Sequence, residues 1–241
     1  MTRRSFHVSG DSRSAPLARV APSRRSPLMT LALAALVVSG CTQARTPSPA
    51  EQTMTTAAPS APDAARTKIT VPGANGVKLD VEFRYQAQAR SVEVNYQLHN
   101  PDAAPPLAVF DRGDLHTVQI GRQKLGAIGQ PGFVTEGTDV EMLHAALPLP
   151  DPAPTSPPTP LAIRVAPGST LSGQFKSEIW STTVPKRLRW CVGVMPFDEK
   201  FFDAPAKSAD GQVWSAPFTA AEAQQMLCTP WFDIAKGGFE S

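Results

Sequence analysis

Between Val109 and His116, two carboxylates, a guanidinium and an imidazole crowd into the run VFDRGDLH. On an extended chain Asp114 and His116 project to the same face. Asp111 can join them from the preceding turn, giving an oxygen and nitrogen set of the kind that holds a metal. The activity implied is metal-assisted hydrolysis, with Asp111, Asp114 and His116 as ligands. The same letters also suit a hairpin, because Asp and Gly favour turns for backbone reasons alone. The hairpin is the reading adopted, and no metal is assigned. Arg112-Gly113-Asp114 also spells an adhesion tripeptide. His99 and His144 end alternating segments and read as surface histidines, in no metal-ligating spacing. Glu136, Asp139 and Glu141 fit a paired-carboxylate site or an acidic strand edge, and the edge is adopted. Gly126, Gly129 and Gly132 lack dinucleotide spacing and read as a mobile loop carrying Phe133, with a ligand-binding tip as the alternative. There is no GxSxG elbow and no phosphate-binding GxxxxGK[ST] loop. No catalytic residue and no cofactor is assigned.

A third kind of chemistry lies nearer the start. The run LALAALVVSGC ends at Cys41. Its apolar stretch is too short to span a membrane, which takes roughly 20 residues. Six arginines and a single aspartate precede it, and a basic region, a short apolar region and small residues together form an export signal. The ending Val38-Ser39-Gly40-Cys41 resembles the lipobox of bacterial lipoproteins. That resemblance implies that the Cys41 thiol attaches to diacylglycerol and that cleavage follows Gly40. It implies an outer-membrane, periplasm-facing protein held to the membrane through lipid.

Removing those six arginines and one aspartate from 23 basic and 21 acidic residues turns a formal charge of +2 into −3. A net-acidic mature chain lacks the dense basic patch that neutralises phosphates, so nucleic acid is not expected as a partner. Residues 1–40 are read as signal peptide. Residues 41–67, rich in Ala, Pro, Thr and Ser, cannot bury enough apolar surface to offset chain entropy, and read as a disordered tether. Residues 68–241 are read as one domain.

Within that domain, SVEVNYQLHN, GVKLDVEFRY, LSGQFKSEIW and RLRWCVGV alternate with period two, the mark of half-buried strands. LHTVQI, LAIRV and QVWSAPF are further short strand candidates. Thr219 and Glu222 have capping-box spacing and predict a helix over TAAEAQQML. LPLPDPAPTSPPTPL is read as an irregular crossover, since its prolines lack donors. The pattern predicts a mainly β fold, an antiparallel β-sandwich with one short C-terminal helix. From VEVNYQLHNPDAAPPLAVFDRG onward, the chain resembles bacterial extracytoplasmic immunoglobulin-like domains. A similar layout occurs in a family named for an intracellular proteinase inhibitor, which leaves an inhibitor-like module as a third functional reading beside the hydrolase.

Once Cys41 carries lipid, two cysteines remain. In an oxidising compartment Cys191 and Cys228 are expected to form a disulfide. The bond would dock the predicted helix and the TPWFD tail across the face of RLRWCVGV that Arg187 and Arg189 share. The function expected overall is non-catalytic binding of an envelope protein, or structural support.

Overall fold

Alternation of β-branched and aromatic residues with polar ones dictates the first layer of the fold. The computed structural model describes residues 66–241 apart from residue 210. The expected signal, lipidated Cys41 and nearly all of the expected tether lie outside the described residues. At the boundary, the carbonyls of Arg66 and Thr67 accept hydrogen bonds from the Phe239 and Phe83 amides, so these two residues belong to the packed structure.

In chain order the strands and helices are β1 (Lys68–Pro72), β2 (Lys78–Gln86), β3 (Ser91–His99), β4 (Leu107–Val109), α1 (Leu115–Gln119), β5 (Gly132–Glu136), β6 (Asp139–His144), β7 (Leu161–Val165) and β8 (Thr170–Glu178). They continue as β9 (Arg187–Pro196), β10 (Ala206–Ser208), β11 (Gly211–Ser215), α2 (Ala220–Ala223), β12 (Gln225–Cys228), β13 (Phe232–Asp233) and β14 (Gly238–Phe239). The molecule is mainly β, with antiparallel and mixed sheets.

The first sheet runs β1-β2-β3-β8, antiparallel throughout. Phe83, Val94 and Phe175 stand opposite one another in its register and point inward, as period two requires. The second sheet is organised by β9, each of whose edges is divided between partners. Along one edge β6 pairs in parallel with Arg187–Val192 and β4 pairs antiparallel with Val194–Pro196. Along the other lie β12 and β13. The parallel β6 pairing makes this sheet mixed.

Apolar faces of both sheets meet in one core containing Leu79, Phe83, Val94, Met142, Trp190 and Phe232, each almost fully buried. Phe83 packs on Phe232 and Phe239 at centroid distances of 5.5 and 4.9 Å, which ties the C-terminal strands to β2. Truncating such a ring to alanine typically costs about 3–5 kcal/mol. A second cluster, with Phe202 and Trp214, covers another part of the larger sheet.

Two predicted elements are corrected. The segment LHTVQI is not a strand: Leu115–Gln119 is a helical turn. Asp114 caps it, its carboxylate accepting from the Thr117 amide at 2.8 Å and the Thr117 hydroxyl at 2.6 Å. This local bond satisfies an orphan helix donor and outweighs the β propensity of Thr and Val. Nor, among the described residues, is there a C-terminal helix. Only Ala220–Ala223 is helical, Thr219 makes no side-chain capping bond, and β12, β13 and β14 follow. A helix of this length nucleates poorly, whereas Met226 and Leu227 gain ladder bonds to β9 and Leu227 enters the core.

That correction changes how the cysteines meet. Cys228 and Cys191 face each other across the β12–β9 ladder, with Sγ atoms 2.09 Å apart, a disulfide-distance pair. The link therefore lies between adjacent strands, not between a docked helix and a sheet face. The tail does reach Arg187 and Arg189: Trp231 lies under both guanidiniums, at 5.1 and 4.5 Å from its ring centroid.

Candidate functional site

Immediately after β4 the chain turns inward. Phe110 donates its amide to Gly193, while the Asp111 and Gly113 carbonyls accept from Gly129 and Leu161. These bonds hold Asp111 and Arg112 between the sheets, at 0% and 4% side-chain exposure. Two adjacent charged residues so fully removed from water are uncommon.

The Tyr96 hydroxyl donates to Asp111 Oδ2 at 2.5 Å, and Arg112 Nη1 approaches the same oxygen at 2.8 Å. Tyr96 reaches across because its cross-strand neighbour is Gly173. A Cβ there would lie 2.2 Å from Tyr96 Cζ, so only glycine leaves the ring its path. Burial pushes the Asp111 carboxyl above its ordinary range, against the opposing pull of Arg112 and Tyr96. Burial, followed by the charge of Asp111, pushes the Tyr96 phenol far up, so it stays protonated and acts as a donor.

Three buried polar atoms of this cluster, Asp111 Oδ1, Arg112 Nε and Arg112 Nη1, make no aligned hydrogen bond among the described residues. Beside Arg112 runs a groove of about 580 Å³ between β8 and residues 126–128, lined by Ile128, Ile163, Leu171, Ser172 and Gln174. A larger depression of about 870 Å³ covers the outer face of the first sheet. Its polar side chains partly satisfy one another, as in the Thr70 to Asp80 bond of 2.5 Å. The smaller groove is the stronger candidate, because the buried Arg112 is among its lining residues.

The other expected residues are dispersed. Asp114 is occupied as the α1 cap, and His116, at the helix surface, contacts Ser156 through Nδ1 at 3.1 Å. With Asp111 bonded to Tyr96 in the core, the proposed ligand trio does not converge. Among the described residues no group of three or more His, Cys, Asp or Glu could hold a metal. The adhesion tripeptide is not displayed either, since Arg112 is buried.

His144 is corrected from a surface residue to a core one, at 2% exposure. Its Nε2 donates to the Gly129 carbonyl at 3.0 Å and its Nδ1 accepts from Trp190 Nε1 at 3.1 Å, which requires the neutral ring. Burial drives its pKa down to about 4. Period two would have placed it, since Val140, Met142 and His144 share one face of β6. Tyr96 could be found the same way, as an inward phenol that needs a buried partner. Nothing in one-dimensional spacing pairs it with Asp111.

Of the loop expected over LGAIGQPGF, only Gly132 and Phe133 depart from it, as the first residues of β5. The three acidic residues do not form a carboxylate pair: Glu136 ends β5 and is exposed, while Asp139 binds Arg187 and Glu141 binds Arg189 across the parallel β6–β9 ladder. His99 is exposed and contacts Thr170 Oγ1 at 3.2 Å. No protein-family model, curated protein or solved structure matches the chain.

Proposed function

We propose that this chain is a lipid-anchored cell-envelope protein, held at the outer membrane through Cys41 and facing the periplasm. Its folded part is an immunoglobulin-like β-sandwich that binds an envelope protein or supports the envelope without catalysis. The observation that carries the reading is the opposed pair Cys191 and Cys228. Strand partners brought to disulfide distance suit an oxidising, extracytoplasmic compartment, where such bonds persist. The lipobox-like Val38-Ser39-Gly40-Cys41 supplies the anchor. Two sheets enclosing one core favour the sandwich. Binding is favoured over hydrolysis because Asp111, Asp114 and His116 serve separate structural roles.

Membrane fractionation tests the anchor. A lipid-modified cysteine binds membranes through its acyl chains, so Cys41→Ala should move the protein from the membrane pellet to the soluble fraction. Retention of the variant in the pellet to the wild-type extent would sink this reading.

A further inference from the structure

The groove beside Arg112 has a charged end and a hydrogen-bonding wall. Arg112 is 96% buried by side-chain area, since its exposure is 4%. Its Nη1 faces Asp111, while Nε has no partner among the described residues. A guanidinium engaged on one edge can still take a second oxyanion on the other, where paired N–H groups match a carboxylate.

The wall is β8. It ends the first sheet, and among the described residues its only strand partner is β3. Its hydrogen-bonding parity follows from the bonds at its two ends. Asn100 donates to the Ser169 carbonyl and Ile179 donates to the Arg90 carbonyl, so odd-numbered positions face β3. By antiparallel alternation, the main-chain N–H and C=O of Ser172 and Gln174 face the free edge. Both residues line the groove, with Ile128, Ile163 and Leu171 supplying apolar surface. An unpaired edge strand is a ready template for another extended chain.

We propose that this groove binds the C-terminal end of an extended peptide, its terminal carboxylate on Arg112 and its main chain added along the free edge of β8. The inference rests on the reading of the domain as a binding module, and it names the class of ligand and the site. A carboxylate on an apolar body is also the chemistry of a short fatty acid. That source would use Arg112 and the apolar wall but not the edge of β8.

Isothermal titration of the purified full chain separates these cases. The probes are N-acetyl-Ala-Val-Ala-Val as the free acid, the same peptide as its C-terminal amide, and hexanoate. The free acid should bind at least tenfold more tightly than either of the others. Equal binding of acid and amide, hexanoate binding as tightly as the peptide, or no binding of the free acid overturns the proposal. Arg112→Lys, which keeps charge but loses the planar fork, should weaken the free acid at least tenfold. Should that variant fail to fold, Ala127→Phe decides, because it narrows the groove and leaves Tyr96, Asp111 and Arg112 unsubstituted. Undiminished affinity in a folded Ala127→Phe protein also overturns it. Loss of the titration signal leaves the fractionation of Cys41→Ala unaffected, so the two readings fail separately.

Discussion

The same chemical pair, arginine with carboxylate, occurs in two regions at opposite extremes of solvation. Between the sheets, Arg112 and Asp111 are dry, share Tyr96 as a third member, and among the described residues leave Asp111 Oδ1 and Arg112 Nε without a hydrogen-bond partner. On β9, Arg187 with Asp139 and Arg189 with Glu141 are partly wet, and both guanidiniums stack on Trp231. Arg187 holds the Asp139 carboxyl below its ordinary range, whereas burial pushes Asp111 the other way. Desolvation therefore decides the sign, and proximity of opposite charge does not. A buried pair whose hydrogen bonds are incomplete contributes little net stability, yet breaking one side of it is costly. That combination suits a site kept for a ligand, whereas the β9 ladder is surface reinforcement.

The sharpest way to break this contrast is to remove one buried charge. Arg112→Met should cost about 3–5 kcal/mol in urea unfolding, because it strands the Asp111 carboxylate. Adding Asp111→Leu should recover most of that loss. A double variant as unstable as the single one would show that lost packing, not an unpaired charge, set the cost.

A second test uses a buried polar group that is fully partnered. The folded-state pKa of His144, about 4, lies below its unfolded value of roughly 6.5. Its stabilising contribution is therefore present above pH 6.5 and is lost as pH falls toward 4, on the order of 3 kcal/mol in all. Urea midpoints across this range should fall in the wild type and flatten in His144→Gln. A wild-type midpoint independent of pH between 6.5 and 4 would contradict a neutral, buried ring.

The smallest effect belongs to the surface ladder. Glu141→Gln should cost less than about 1 kcal/mol, and high salt should erase the difference, as expected for an ion pair with an exposed partner. A loss comparable with that of Arg112→Met would remove the distinction between the two regions.

Much of the first sheet was legible in the sequence. Period two in SVEVNYQLHN and GVKLDVEFRY survives folding, because one face of each strand meets the core and the other meets water. The candidate site was only half legible. Asp111 was singled out, but for partners it does not meet, since a bond from Asp114 to Thr117 converts the next residues from extended chain to helix.

By itself, the sequence determined the strand faces, the crossover that no interior strand can use, and the two cysteines left to pair within the folded part. Those properties are local, set by side-chain period, missing amide donors and residue identity. Tertiary structure alone decided that β12 lies beside β9 and that Tyr96 passes over Gly173 to Asp111. It also decided that His144 accepts from Trp190. Each of these joins segments far apart in the chain, and its energy depends on water excluded by the packed assembly, a quantity no stretch of neighbouring residues carries.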